Sequence, residues 1–141
     1  SEELILRPKE TYDGAVPSGN SLMSYNFVKL YLLTSDDKYK DLAEKQLDFI
    51  SSEASHYPTN HAMFLLALLE YEKPPMKITV VADDRTDTKS IALHLPADAM
   101  IVFLNKPTKD YPQKNNMTTY YVCKGHVCLP PTNDFAEISD G

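Results

Sequence analysis

The sequence predicts a chain of mixed α and β class: an N-terminal helical hairpin layer followed by a small parallel α/β (βαβ) unit. Three observations carry this reading. Residues 1–75 repeat apolar side chains at helical spacing behind a polar segment, Asp13-Gly14-Ala15-Val16-Pro17-Ser18-Gly19-Asn20-Ser21. Pro74-Pro75 then stops the periodicity. Residues 76–141 hold two short apolar runs on either side of a weakly helical segment and end in a Cys123/Cys128 pair. The expected division is therefore 1–75 for the helical segment and 76–141 for the α/β unit.

Leu4-Ile5-Leu6, ending at Arg7-Pro8, reads as a short extended lead-in. Asp13-Gly14 and Ser18-Gly19 are turn dipeptides with Pro17 stiffening the backbone between them. A first helix begins near Gly19-Asn20-Ser21, with Ser18 or Ser21 as its cap. Leu22, Met23, Phe27, Leu30 and Tyr31 recur at three- and four-residue steps, and Val28, Leu32 and Leu33 widen the stripe. So broad an apolar face implies burial against more than one neighbour.

A second helix is expected after Ser35, capped by its hydroxyl, with Asp36 and Asp37 facing the positive end of the dipole. Tyr39, Leu42, Ala43, Gln46, Phe49 and Ile50 trace one face, and the short connection predicts an antiparallel αα-hairpin. Pro58-Thr59-Asn60 opens a third helix with Thr59 or Asn60 at the cap. Its run from Ala62 to Leu69 is apolar all round, the mark of a helix lying between layers.

Beyond the prolines, Lys77–Ala82 is rich in β-branched residues and reads as a strand. Asp83-Asp84 turns the chain, Thr86–Leu95 is weakly helical, and Ala99–Leu104 is a second strand. Strand, helix, strand places the two strands parallel with a right-handed crossover. Residues 105–117, with Pro107 and Pro112, form a long loop; Thr118–Cys123 is a third strand, and Asn133–Ile138 makes one or two helical turns.

Composition narrows the classes of function. The chain has 141 residues, 43% apolar and 24% charged, which is ordinary for a globular protein and enough to bury a core. A net charge of -6, from 20 acidic against 14 basic residues, argues against a phosphate-binding surface, so no nucleic-acid partner is expected. No apolar run approaches the roughly 20 residues a spanning helix needs, so no membrane partner is expected either. Two cysteines cannot staple a small secreted fold, and no signal peptide is visible, which favours a cytoplasmic setting. An open helical set with an appended α/β unit reads as the end of a longer chain.

The run Leu6-Arg7-Pro8-Lys9, then Asp13–Ser21, carries a resemblance. So do the Tyr57-Pro58 helix start, the Pro74-Pro75 junction, and the closing Tyr121-Val122-Cys123 with Cys128-x-x-Pro131. In that order they resemble the C-terminal region of the thioredoxin-domain-containing family of spermatogenesis-associated protein 20 and YyaL-like proteins. The resemblance spans essentially the whole chain. It implies a much longer protein: a thioredoxin-like domain, then an α/α toroid similar to N-acylglucosamine 2-epimerase and six-hairpin glycosidases, then a small α/β part. This chain would supply the last toroid hairpins and that final part, with the remainder of the full-length chain as its partner. The family's Cys-x-x-Cys type of motif would lie in the thioredoxin-like domain and has no counterpart here.

Two clusters are candidate sites. Gly14–Ser21 gathers main-chain amides and small hydroxyls at a helix start, which suits an anion or a sugar hydroxyl as well as a plain helix cap. Ser18, Gly19 and Asn20 are the candidate contacts, with Tyr12 as a stacking ring and Asp13 as a candidate acid or base. Glycoside chemistry needs a second carboxylate about 5–9.5 Å away, and none can be assigned. His56 and His61 flank Tyr57-Pro58, and His61, in the first turn of the third helix, is a further candidate at a cavity mouth. A small sugar-like ligand is the partner such a cavity would take in the full-length protein.

Cys123-x-x-x-x-Cys128 is the second cluster. A structural or reversible disulfide, half of a metal site with His126 and His94, and two unrelated thiols all fit the spacing. The spacing gives the metal reading no support, so no metal and no cofactor are expected. Asp83-Asp84, at the carboxyl end of the first strand, lacks a phosphate-cradling glycine loop.

Three functions are expected in order. The first is a non-catalytic portion of a larger protein, with self-association through an exposed helical face. The second is part of an epimerase- or glycosidase-like cavity. The third is a thiol-redox module.

Overall fold

The computed structural model describes residues 10–83, 85–125 and 127–139. The Leu4-Ile5-Leu6 lead-in, Asp84 and His126 lie outside them. The class is mixed α and β: the described residues hold five helices and a four-stranded mixed sheet. Contacts divide the chain into two compact units, up to Glu72 and from Lys73.

The first unit holds α1 (Gly19–Thr34), α2 (Asp37–His56) and α3 (Ala62–Glu72). Ser18 caps α1, its hydroxyl accepting from Ser21 N at 3.1 Å. Ser35 does not cap α2 as expected. It ends α1 in the left-handed conformation at φ 56°, and Asp36 caps α2 by accepting from Lys38 N at 2.9 Å. The reason is the two-residue connection: once Ser35 closes one helix, only Asp36 has the extended backbone a cap needs.

The third helix also starts later than expected. Pro58–Asn60 forms a single 3-10 turn, and α3 begins at Ala62. Val28 of α1, Ala43, Leu47, Ile50 and Ala54 of α2, and Phe64 and Ala67 of α3 make one buried core. On the rim, Lys29 pairs with Glu70 at 2.6 Å and the Tyr71 hydroxyl donates to Glu44 at 2.5 Å, linking α3 to both neighbours.

The second unit holds β1 (Lys77–Val81), α4 (Thr88–His94), β2 (Met100–Leu104), β3 (Thr119–Lys124), β4 (Val127–Cys128) and the short α5 (Ala136–Ser139). The strand order is β2-β1-β3-β4. β1 and β2 are parallel, Lys77 beside Met100 and Val81 beside Leu104, with α4 in the crossover. β1 and β3 are antiparallel, with Lys77 beside Cys123, so the sheet is mixed rather than wholly parallel. The long loop 105–118 runs without a helix, so it needs no crossover and brings β3 back alongside β1 in the opposite sense.

α4 starts at Thr88 because Asp87 accepts from Lys89 N and Ser90 N. Ile78, Val80, Tyr120 and Val122 share one sheet face and form a core with Leu95 and Ile138. β4 was not legible in advance, being two residues long.

Candidate functional site

The first cluster is built where the chain enters α1 and α3. Asp13 N donates to Asn60 O at 2.7 Å, which lays the leading loop beside the 3-10 turn. One carboxylate oxygen of Asp13 accepts from Ser18 N at 2.8 Å. The other accepts from Met63 N at 2.9 Å and Phe64 N at 3.3 Å. Asp13 therefore caps α3 from 50 residues away while bracing the turn before α1. Neither Thr59 nor Asn60 does that work. Burial pushes its pKa up, but the N–H groups of Ser18, Phe64 and Met63 and the Ser21 hydroxyl outweigh it, so the carboxyl lies below its ordinary 3.8.

Most of the remaining polar groups are engaged as well. Ser18 Oγ donates to Ser21 Oγ at 3.0 Å, and Ser21 Oγ donates to Thr11 O at 3.3 Å. Asn20 Nδ2 donates to Glu10 O at 2.7 Å, while Asn20 Oδ1 accepts from Gln46 Nε2 of α2 at 3.2 Å. Ser18 and Ser21 are buried, and Gly19 is simply the first residue of α1. His61 precedes α3 instead of lying in its first turn, and it is 1% exposed. Its Nδ1 lies 2.8 Å from Tyr57 O, so Nδ1 carries the proton and Nε2 is left as an acceptor. That Nε2 is buried and has no hydrogen-bond partner among the described residues. Tyr12 stands edge-on to the His61 ring at 6.1 Å and is half exposed.

The structure thus places Tyr12, Asp13, Ser18, Gly19, Asn20 and His61 around the entries to α1 and α3. The bonds of Asp13, Ser18 and Asn20 run to main chain and to the side chains of Ser21 and Gln46. A hydroxyl- or anion-binding rim would present free donors, and Asp13 would need an uncommitted oxygen to act as an acid or base. His56 lies apart in its bonding, with Nδ1 2.8 Å from Ser52 O within α2. Thr11, Ser21 and Gln46 belong to the cluster and were not expected as members. Of these, Ser21 alone had a sequence signal, its place in the capping segment.

The second cluster is a disulfide. Cys123 and Cys128 are bonded, with S–S 2.02 Å and Cα atoms 4.0 Å apart. They face each other across β3 and β4, and the neighbouring Leu129 N donates to Val122 O at 2.9 Å. Cys123 and Cys128 are thus a non-hydrogen-bonded cross-strand pair, where Cα atoms approach to about 4.5 Å. That explains a separation below the common disulfide range. Gly125, at φ 60°, supplies the left-handed residue of the turn between them.

At the end of β1, Asp83 accepts from Thr86 Oγ1 at 2.7 Å and Arg85 N at 2.9 Å, which pulls its pKa down in that order. This closes a turn. Among the described residues no three His, Cys, Asp or Glu side chains converge as metal ligands. No helix among them is long and apolar enough to cross a membrane.

Fold and clusters together define a mixed α/β chain whose polar loop braces two helix starts and whose sheet edge is closed by a disulfide. In sequence the chain is similar to spermatogenesis-associated protein 20 of Homo sapiens and Rattus norvegicus, at 24% identity each, and of Mus musculus, at 22%. Each match covers 96% of this chain and 19% of the relative. The chain therefore spans about a fifth of the length of these curated relatives. Identity this low, but spread over nearly the whole chain, supports a link to that family. No family model matches, and no solved structure matches.

Proposed function

We propose that the chain is a non-catalytic, structural portion of a larger protein, a set of helical hairpins with an appended α/β unit. The observation that carries this reading is the exposed apolar surface of the first unit. Leu22, Met23, Leu30 and Leu33 of α1 and Leu65, Leu66 and Leu69 of α3 are each more than a third exposed, Leu69 at 55%. Lys29 and Glu70, which bridge the two helices, each have one of these leucines four residues along, Leu33 and Leu66, so both stripes flank the bridge. Helices apolar on every side belong between layers, and so extended a face marks a contact surface. Further hairpins of an α/α toroid in the remainder of the chain are the natural cover, and a second copy is the alternative when that cover is missing.

The occupied bonds of Asp13 and Asn20 weigh against the carbohydrate-cavity reading, in which a sugar-like ligand would need them free. The disulfide favours a second reading, a thiol-based clasp. Its place on a sheet edge, away from any helix start, suits a staple better than a catalytic dithiol.

Sedimentation of the chain across micromolar concentrations tests the main reading. Self-association is expected for the parent chain, with a monomer for Leu65→Glu/Leu69→Glu. A parent chain that stays monomeric and binds no apolar dye overturns it.

A further inference from the structure

The second unit holds a cavity of about 290 Å³ lined by Ser90, Ile91 and His94 of α4, Tyr120 of β3 and Phe135. Phe135 organises its wall. It meets the Tyr120 ring edge-on at 5.8 Å and the His94 ring edge-on at 6.2 Å, an aromatic cluster with one aliphatic neighbour, Ile91. The volume lies at the small end of ligand sites, and the pocket is open to solvent on the side of Ser90 and His94, which suits a single ring.

The polar atoms of the lining are unspent. His94 Nδ1 lies 2.7 Å from Ser90 O, so in the neutral ring Nδ1 carries the hydrogen and Nε2 is a lone-pair acceptor. Tyr120 is only 6% exposed, yet its hydroxyl makes no hydrogen bond with any described residue, and neither does the Ser90 hydroxyl. No acid, lysine or arginine is among the described lining residues, so with His94 neutral they offer no charge to balance one on a ligand. Apolar walls with a few convergent polar atoms are the composition of a small-molecule site.

We propose that this cavity binds an uncharged aromatic compound bearing a hydroxyl group, a phenol, with its ring against Phe135 and Ile91 and its hydroxyl hydrogen donated to His94 Nε2. The ring enlarges the edge-to-face cluster, and the hydroxyl meets the acceptor that His94 leaves open. Tyr120 and Ser90 then serve as donors to the ligand oxygen. The site is independent of the helical face proposed above, since it lies wholly within the second unit.

The test is a titration of the full chain with phenol, cyclohexanol and benzoate, followed by the NMR signals of Ile91, His94, Tyr120 and Phe135. Phenol is expected to shift these four saturably, and to bind about fivefold more tightly than cyclohexanol and more tightly than benzoate. His94→Ala, an exposed side chain on a short surface helix, should weaken phenol about fivefold without altering the rest of the spectrum. Ser90→Trp, which fills the opening, should abolish the shifts. Non-saturating shifts, equal affinity for cyclohexanol or benzoate, or an unaltered affinity in His94→Ala would each overturn the proposal.

Discussion

Replacing Asp13 with alanine strands three main-chain donors at once: Ser18 N, Met63 N and Phe64 N. Loss of a helix cap alone costs about 1 kcal/mol, within a range of about 0.5–2. The bond to Ser18 adds about another 1–1.5 kcal/mol, because Ser18 is buried and its N–H has no ready replacement. Asp13 itself is half-buried, so water recovers part of the remaining electrostatic loss. The expected destabilisation of the first unit is about 2–3 kcal/mol, equivalent to a fall of about 10–20 °C in its unfolding midpoint. Asp13→Asn keeps one acceptor oxygen and can serve one of the two helix starts, so about 1 kcal/mol is expected. The sign of the pH dependence follows from the lowered pKa. The carboxylate's stabilisation is complete above the unfolded-chain value of 3.8 and is lost as pH falls through the lower folded value. Parent and Asp13→Ala should therefore differ fully at pH 7 and converge as the solution is acidified below about pH 4. Urea unfolding at several pH values, with hydrogen exchange read at the Met63 and Phe64 amides, measures both effects. A loss below about 0.5 kcal/mol with unchanged protection of those amides would refute the capping argument.

Reduction of Cys123–Cys128 should remove about 2 kcal/mol from the second unit, the loop-closure value for a ring of about six residues, and leave the first unit unchanged. Intact mass with thiol labelling reports the bond, and a parallel insulin-reduction assay should show no turnover; fast turnover lost in Cys123→Ser would make the pair catalytic. Burial, then the bond to Glu44, pushes the Tyr71 phenol well above the usual tyrosine range, so that bond stabilises the fold up to about pH 10 and is lost on further alkalinisation. In an ultraviolet titration of the nine tyrosines, Tyr71→Phe should delete the most alkaline step; loss of an ordinary step instead would contradict the assignment.

The elements that could be read ahead are those whose information is local. The αα-hairpin followed from stripes of apolar residues three and four apart, and β1 and β2 from β-branched runs separated by a helix-length segment. The α1 start was legible because Ser18, its cap, lies beside it. What stayed hidden depends on distant partners. Nothing near Ala62 reveals that Asp13, 50 residues earlier, caps α3, and so local sequence points to a start at Pro58–Asn60, ahead of the true one. β4 has two residues and no periodicity, and it exists only because Val127 and Cys128 find Lys124 and Cys123 opposite. The candidate loop could be grouped from composition, but whether its hydroxyls were free or already bonded depended on Thr11, Glu10 and Gln46. The cavity beside Phe135 had no signal at all, since its walls come from α4, β3 and the segment before α5.

The central place of β1 has a bearing on how the second unit forms during synthesis. Its parallel neighbour, β2, lies within the next two dozen or so residues, so one edge of β1 is covered early. Its other edge waits for β3, which pairs Lys77 with Cys123. While the long polar loop is still emerging, β1 presents an unpaired row of amides and carbonyls flanked by Ile78, Val80 and Val81. Such a nascent edge is open to pairing with another ribosome-bound or partly folded chain. The polar, proline-punctuated loop 105–117 follows β2, and its low β-propensity keeps the open edge of β1 from being paired by the wrong segment.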